Sequence, residues 1–345
     1  MIAALTSPPP EWAPQDKILI GWPSHFEPWD DPFDDAREEV AELANRIIGA
    51  GKHYSGSETT LVLVVDGAEA RDVATRMVPK AEIINTACGD TWLRDTAGTF
   101  SWQNGRLTLS RYRFNGWGGK YIYPGDADLA PRLAKKLNTE LVFHDFVLEG
   151  GAVEWDGSGN LLTTEDCLLN PNRNKGWGRE DAERALMAAF GATRVIWLRD
   201  GLLNDHTDGH IDNLARFVAP GHIVYQTPDG DDPHADRLNE IEADLVSFRK
   251  RNESEIRLTA IPSPGRVLDP EGDFMPASHM NFIITNQLVV VPEYNAEAKK
   301  AVSVLQGLFP DRPVVSSPSN AILTGGGSFH CISQQIPSPP AKDKT

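Results

Sequence analysis

Cysteine is scarce in this sequence, and the patterns that direct a chain into a membrane or along the secretory route are missing. The 345 residues include three Cys. This odd number, with no CxxC pair, argues against a disulfide framework and a structural zinc site. No apolar run approaches the roughly 18 residues of a membrane-spanning helix. The N-terminal residues 1–10 carry no basic side chain and too short an apolar stretch for a signal peptide. We therefore expect a cytoplasmic protein.

Positive charge is also in deficit. Lysine and arginine number 33 against 49 aspartate and glutamate residues, which gives a formal net charge of −16 at pH 7. Binding of phosphate groups needs a basic patch, and the sequence offers none, so nucleic acid is not an expected partner. An acidic surface can attract a cationic substrate, although many proteins carry one for solubility alone.

The chain does contain enough apolar material for a large core. Hydrophobic residues make up 40% of the sequence and include nine Trp, so an ordered fold is expected. The length would allow one large domain or two to three ordinary ones, but no linker or change of composition divides it. We predict a single domain over 1–345, with irregular ends at 1–15 and 337–345.

A repeated unit organises most of the sequence. Each unit contains an amphipathic helix, a short apolar strand, a corner of polar residues and glycine, and a β-hairpin. The helices of the five units are predicted at 68–77, 129–137, 179–190, 236–250 and 296–309. Before the first unit, the pattern predicts a strand from Lys17 that Pro23 ends, a helix over 34–50 that Gly51 ends, and a strand at 60–65. Turn dipeptides such as Asn104-Gly105 mark the hairpins.

Units of this size cannot each bury a core alone, but they can when packed in a ring. The sequence therefore predicts an α/β fold of five small units around an axis, with the corners together at the centre. The predicted corners are at Trp92, Glu149, His210, Asn281 and Cys331. The longest step, from His210 to Asn281, contains a Pro- and Gly-rich insertion at 262–277.

Cys331 lies at the last corner, shortly after the run Gly325–Gly327. Glycines allow a tight turn and a close approach of the backbone to a ligand. We interpret Cys331 as a nucleophile at the start of a short strand. A buried structural cysteine is the alternative, because free Cys usually behaves as a small hydrophobe.

His210 is the candidate for proton transfer, in the Asp- and His-rich segment 205–212. A solvated turn is the alternative interpretation. His206 and His210 are four residues apart and could bind a metal on a helix. Gly209 and the β-like run after it argue against a helix, and no third ligand is evident. We therefore do not expect a metal.

Three acids, Asp95, Glu149 and Asp212, lie at the other corners. Buried carboxylates without partners would be costly unless a cation enters the site. A guanidinium fits best, because its planar fork binds carboxylates with two hydrogen bonds. Its central carbon is also an electrophile, which a thiolate can attack when the carboxylates hold the guanidinium in position. Taken singly, Asp95 could instead pair with Arg94, and Glu149 could be an ordinary loop acid.

Trp92 and Trp117 lie near these corners. Core packing is the ordinary role of such residues. The alternative is a wall that stacks on a guanidinium or an aliphatic stem, and we include both as candidate substrate-binding residues.

Several short motifs follow one another along nearly the whole chain. They are Glu11-Trp12 with Gly21–Pro23, Trp92–Asp95, Phe114–Gly119, Leu148–Gly151, Cys167–Asn174, Asp208–Asn213, Asn281-Phe282 and Gly325–Cys331. In this order they resemble the agmatine deiminase family, also called the bacterial-type peptidylarginine deiminase family, of the guanidino-group-modifying superfamily.

The resemblance implies a five-bladed α/β propeller that hydrolyses a small guanidino compound without a cofactor. Cys331 would attack the guanidinium carbon, ammonia would leave, and the covalent thiouronium intermediate would be hydrolysed. His210 would act as general acid/base, and Glu149 would bind the substrate and assist proton transfer. Asp95 and Asp212 would hold the guanidinium. With agmatine the products would be N-carbamoylputrescine and ammonia, and the family implies a homodimer.

Two segments depart from the family pattern. Thr96–Thr99 replaces the usual Gly-Pro pair after Arg-Asp, and Ser24–Asp30 replaces the usual sequence where the far end of the substrate could be read. Free arginine or peptidyl arginine is therefore an alternative substrate, with Arg113 or Lys120 available for its carboxylate. A propeller that only binds a partner and a zinc hydrolase are the remaining alternatives.

Overall fold

Short strands and helices alternate in the structure, a computed structural model that describes residues 7–29, 32–50, 58–251 and 255–340. The strands are β1 (Gln15–Gly21), β2 (Thr60–Val65), β3 (Glu82–Asn85), β4 (Thr99–Gln103), β5 (Arg106–Arg113), β6 (Glu140–Val147), β7 (Val153–Trp155), β8 (Asn160–Thr164), β9 (Arg194–Leu198), β10 (Ala215–Ala219), β11 (His222–Thr227), β12 (Arg257–Pro262), β13 (Ile283–Ile284), β14 (Val289–Glu293), β15 (Val314–Pro318) and β16 (Ser333–Pro337). The α-helices are α1 (Phe33–Ala50), α2 (Ala68–Met77), α3 (Leu93–Thr96), α4 (Gly116–Gly119), α5 (Leu129–Leu137), α6 (Glu165–Leu168), α7 (Arg179–Phe190), α8 (Ala235–Arg251), α9 (Ala298–Leu308) and α10 (Asn320–Thr324). Asp30, the predicted helix end at Gly51, and parts 1–6 and 341–345 of the predicted irregular ends lie outside the described residues.

The strands pair into five sheets in the described part of the chain, and this confirms the predicted α/β propeller of five blades. The sheet orders are β16-β1-β2-β3, β4-β5-β6, β7-β8-β9, β10-β11-β12 and β13-β14-β15. In each sheet, an antiparallel pair is extended by a strand that runs parallel to its second member. A parallel connection needs a crossover, and the long helices α1, α5, α7, α8 and α9 lie in these crossovers.

The blade boundaries differ from the predicted units. The strand that follows each helix pairs with the hairpin before it, whereas the sequence grouped it with the hairpin after it. The segments α1 and β2, predicted outside the repeat, belong to the first blade. Periodicity identifies strands and helices, but it does not indicate which hairpin a parallel strand will join.

The two ends of the chain close the ring. β16 pairs antiparallel with β1, from Gln15 opposite Pro337 to Ile20 opposite Ser333. The predicted irregular ends are therefore slightly too long, because Gln15 and Pro337 both belong to strands. This pairing holds the residues just before β16 against the end of β1, where Gly21 N donates to Ile332 O at 2.8 Å.

The predicted hairpin turn at Asn104-Gly105 and the predicted apolar face of α1 are both confirmed. Asn104 and Gly105 have φ values of 50° and 76°, which a two-residue hairpin turn with two positive φ angles requires. On α1, the predicted apolar stripe places Val40, Leu43 and Ile47 in the core with no exposed surface. No helix within the described ranges combines the length and hydrophobicity needed to cross a bilayer.

A buried cluster of charges joins Glu11, shortly before β1, to the blades. Arg216 on β10 has no exposed side-chain surface. Its Nη1 donates to the carbonyl oxygens of Met280 and Phe282 at 3.1 and 2.8 Å, and its Nη2 donates to Glu11 at 2.5 Å. Its Nε donates to Glu154. Burial alone would raise the pKa of Glu11, but the charges of Arg216 and His330 lower it far below its usual value.

Replacement of Arg216 by methionine is expected to lower the free energy of unfolding by about 3–5 kcal/mol, because it leaves buried carboxylates without their cation. Urea denaturation with an unchanged m-value measures this loss. Arg46→Met is the control, since Arg46 forms an exposed i, i+4 pair with Glu42 and should lose less than about 1 kcal/mol. Equal losses in the two variants would contradict the expectation.

Candidate active site

Five short turns, each just before the first strand of a hairpin, meet at the centre of the propeller. They are α3, the 3₁₀ turns Gly150–Ala152, Ile211–Asn213 and His279–Asn281, and the turn at 328–332 before β16. Consecutive turns of the first four are in contact, and α3 also contacts β16. The predicted meeting of the corners is therefore confirmed.

Cys331 is almost fully buried and has polar neighbours from two other corners. Its Sγ lies 3.1 Å from Asn281 Nδ2 and 3.7 Å from Asp212 Oδ2. The residue precedes β16 in a turn closed by the hydrogen bond from Ile332 N to Ser328 O, so the prediction that it starts a strand is wrong. Burial, together with the charges of Asp212 and Asp95, raises the pKa of the Cys331 thiol well above its usual value.

Two side chains of the site leave no room for a side chain at Gly327, the last glycine of the run. A Cβ atom on Gly327 would lie 3.1 Å from Cys331 Sγ and 2.6 Å from Cζ3 of Trp92. A side chain at position 327 would therefore displace either the thiol or the indole.

Asp212 is held by His330, a residue that the sequence reasoning did not select. His330 Nδ1 lies 2.7 Å from Asp212 Oδ2, and His330 Nε2 lies 3.1 Å from Glu11 Oε2. Burial would raise the pKa of Asp212, but the hydrogen bond and the charge of His330 lower it below its usual range. Asp212 Oδ1 has no hydrogen-bond partner among the described residues. A buried, charged oxygen without a partner favours a cationic ligand.

Asp95 is the second acid beside the thiol. It accepts hydrogen bonds from Trp117 Nε1 and Gly151 N, both at 2.9 Å. Burial, with the charges of Asp212 and Glu149, raises the pKa of Asp95 to about 8. The alternative pairing with Arg94 is wrong, because the Arg94 guanidinium donates to Gln335 Oε1 at 3.0 Å.

Trp117, whose indole donates to Asp95, has a strained backbone conformation. Its φ of 52° and ψ of 51° lie in the left-handed region, which is rare for a bulky residue. The indole reaches Asp95 from this conformation, and strain of this kind is typical of functional sites.

Glu149 has a positive partner of its own. Arg173 Nε donates to Glu149 Oε1 at 3.0 Å, and neither side chain is exposed to solvent beyond 1%. Arg173 also donates to Asp208 and to the carbonyl oxygen of Thr207. Burial raises the pKa of Glu149 despite the opposing charge of Arg173. Glu149 is therefore not an exposed loop acid, and Arg173, in the motif at 167–174, is a site residue that the prediction missed.

His210 is fully buried, and neither ring nitrogen has a hydrogen-bond partner among the described residues. Its Nδ1 lies 3.9 Å from Asp95 Oδ1. Burial lowers the pKa of His210 to about 3, against the charge of Asp212. The imidazole of the unliganded protein is therefore neutral.

A metal could be considered where Glu149, Cys167 and His210 place one ligand atom each within 4.8 Å of one another. The Arg173 guanidinium on Glu149 disfavours a second cation at this point, since like charges repel strongly in a buried site. The prediction that no helix runs from His206 to His210 is confirmed, because turns and bends occupy 203–204 and 206–209. The β-like run expected after Gly209 is instead the 3₁₀ turn Ile211–Asn213.

A cavity of about 150 Å³ gives access to the thiol. Its walls include Cys331, the two carboxylates of Asp90 and Asp95, and the indoles of Trp92 and Trp117. Asp212, His210 and Glu149 do not line it but are buried beside these residues. Trp92 also stacks on Trp29, with 5.7 Å between ring centroids, so it serves both as core and as cavity wall.

The basic residues suggested for a substrate carboxylate do not reach this cavity. No Lys or Arg of the described ranges lines it. Lys120 Nζ donates to the His206 carbonyl oxygen at 2.8 Å and to Asp208, and Arg113 pairs with Asp145. That suggestion is therefore wrong.

Comparison with known proteins gives matches over nearly the whole chain. The sequence model of the Porphyromonas-type peptidyl-arginine deiminase family matches residues 7–337. The agmatine deiminase of Stutzerimonas stutzeri is 33% identical over 361 residues, which cover 96% of this chain and 95% of the relative. The agmatine deiminase of Pseudomonas syringae pv. tomato is 30% identical over 364 residues, with the same coverage.

Solved structures have the same fold. The agmatine deiminase of Enterococcus faecalis superposes with a TM-score of 0.88 at 28% identity, over 97% of this chain and 96% of the other. The substrate-bound agmatine deiminase of C. jejuni superposes with a TM-score of 0.86 at 25% identity, over 96% of each chain. The length of the family match and the shared architecture agree with the motifs found along the sequence, and the chain belongs to the Porphyromonas-type peptidyl-arginine deiminase family.

Proposed function

We propose that this protein is a hydrolase that deiminates agmatine to N-carbamoylputrescine and ammonia through a covalent bond to Cys331. One observation carries the proposal: the thiol shares a cavity with Asp95 and lies 3.7 Å from Asp212, which has an unpartnered oxygen. A guanidinium held by two carboxylates has the geometry and charge that this arrangement favours. Relatives at 30–33% identity over 96% of the chain carry the name agmatine deiminase.

The reaction begins when the cationic substrate enters. Asp95 and Asp212 hold the guanidinium, and its positive charge lowers the pKa of the thiol that these carboxylates raise. Sγ attacks the central carbon, and the thiol proton passes through His210 to one nitrogen, which leaves as ammonia. Water then attacks the thiouronium carbon, and His210 accepts one proton from it and passes this proton to Sγ as the C–S bond breaks. The second proton of the water is taken up by the released ammonia, which leaves the neutral ureido product and the Cys331 thiol.

Glu149 binds the guanidinium and assists these proton transfers, and Arg173 fixes its orientation. The indoles of Trp92 and Trp117 line the cavity beside the bound substrate. These residues come from different blades, so we propose one catalytic domain over the chain. The homodimer and the cytoplasmic location remain predictions.

Agmatine is favoured over free arginine by the charge of the cavity. An α-carboxylate would enter beside Asp90 with no lysine or arginine on the described walls to meet it. A buried unpaired charge is costly, whereas the amine of agmatine is positive and suits an acidic wall.

Release of ammonia and ureido product from agmatine, arginine and a C-terminal arginyl peptide tests this function. We expect kcat/KM for agmatine to exceed that for arginine by at least about 100-fold, because a buried charge without a partner costs more than the roughly 1–3 kcal/mol of a neutral polar group. The rates should be unchanged in a chelator, which separates this mechanism from that of a zinc hydrolase. Turnover of arginine without turnover of agmatine would refute the substrate, and no turnover of any guanidine would favour a binding-only propeller.

A further inference from the structure

We infer that Asp90 reads a second positive charge at the far end of the guanidino substrate and so sets the specificity of the cavity. This inference rests on the proposed function and adds to it a residue that was not among the predicted site residues. Asp90 lines the same cavity as Cys331, in the loop that leads into α3.

Hydrogen bonds fix the Asp90 carboxylate. Its Oδ1 accepts from Thr91 N and its Oδ2 from Trp92 Nε1, both at 2.7 Å. Below it, Asp126 Oδ1 accepts from Gly89 N at 2.7 Å and from Asp90 N at 3.1 Å. The group is therefore held in place before a ligand arrives, which favours binding.

The indole of Trp92 sets the distance between Asp90 and the thiol. Its Nε1 contacts Asp90, while its Cζ3 on the other side of the ring lies next to Gly327, where an added Cβ would be 3.1 Å from Cys331 Sγ. These contacts put the carboxylate and the thiol towards opposite ends of the same indole, which limits the distance between them. An extended chain of four methylenes is comparable in length, so a guanidinium at Cys331 would place a terminal amine near Asp90.

Charge supports the same assignment. Asp95 and Asp90 are the two acidic residues on the cavity wall, and the first is engaged by the guanidinium in the proposed reaction. Burial, with the nearby charge of Asp126, raises the pKa of Asp90 to about 7. A cation bound at Asp90 would relieve this cost. The other polar side chains on the wall carry no negative charge that could supply the same attraction; they are Tyr121, Tyr123, His206, Thr207 and Thr324.

The test compares agmatine with n-pentylguanidine, in which a methyl group replaces the terminal ammonium. In the wild type, kcat/KM should be higher for agmatine by roughly 10- to 150-fold, the effect of one hydrogen bond to a charged group. Asp90→Asn should reduce kcat/KM for agmatine by a similar factor and leave that for pentylguanidine within about threefold.

Asp66→Asn is the matched control. Asp66 is a nearby carboxylate that pairs with His25 and lies outside the cavity wall, so both substrates should keep their wild-type rates. Equal wild-type rates on the two substrates would overturn the inference, and so would an equal loss on both in Asp90→Asn, which would make Asp90 merely structural. Failure of the wild type to process either guanidine would instead refute the proposed function itself.

Discussion

Replacement of Cys331 by alanine should abolish deimination and, with it, the covalent intermediate. Removal of a nucleophile that acts with its acid/base partner usually costs several orders of magnitude, so we expect kcat to fall by at least about 10⁴-fold. His210, Asp95 and Asp212 remain in the variant, and agmatine should still bind. Product release under saturating substrate measures the loss, and mass spectrometry of acid-quenched wild type should find the amidino adduct on Cys331.

Cys88 provides the control for this prediction, and Cys167 is the residue that could contradict it. Cys88 is buried and lies outside the cavity wall, so Cys88→Ala should keep wild-type activity. Cys167 is also buried, with its sulfur within 4.8 Å of ligand atoms on Glu149 and His210. An adduct on Cys167, with activity retained in Cys331→Ala, would show that Cys167 and not Cys331 is the nucleophile.

Replacement of Gly151 by alanine is expected to be nearly as damaging, although glycine has no reactive group. A Cβ at this position would lie 2.5 Å from His210 Nδ1, 3.1 Å from Asp212 Oδ2 and 3.2 Å from Asp95 Oδ1. The methyl group would therefore displace the imidazole and separate the two carboxylates. A misplacement of about 1 Å in an active site can cost 10²-fold, and three displaced groups lead us to expect a fall in kcat/KM of about 10²- to 10³-fold.

The fold should tolerate this change better than the activity does. Overpacking in a core costs about 1–3 kcal/mol, and the Gly151 N–H can still donate to Asp95. Gly49→Ala is the matched control, because Gly49 lies in α1 with no atom within 4 Å of an added Cβ. It should stabilise the protein by about 0.5–1 kcal/mol and leave kcat/KM unchanged. If Gly151→Ala retained a kcat/KM within fivefold of wild type, the proposed arrangement of Asp95, His210 and Asp212 around the substrate would be wrong.

The sequence by itself determined the repeat and its corners. Helical periodicity, apolar strands and turn dipeptides depend on neighbouring residues, so α2, α5 and α7 have the predicted bounds. Asp95, Glu149, His210, Asp212 and Cys331 could be selected because they occupy equivalent points of the repeat. Strand pairing was less accessible, since the partnership of β1 with β16 joins opposite ends of the chain.

Only the tertiary structure decided the charge and the partners of these groups. Asp212 has a low pKa because His330, 118 residues away in sequence, donates to it, and His210 is neutral because it is buried. Arg173 was found beside Glu149, and Lys120 and Arg113 were found occupied elsewhere. A pKa depends on burial and on charges within a few ångströms. Those distances are set by the packing of blades remote in sequence, so the corners could be predicted from the chain, whereas their chemistry required the fold.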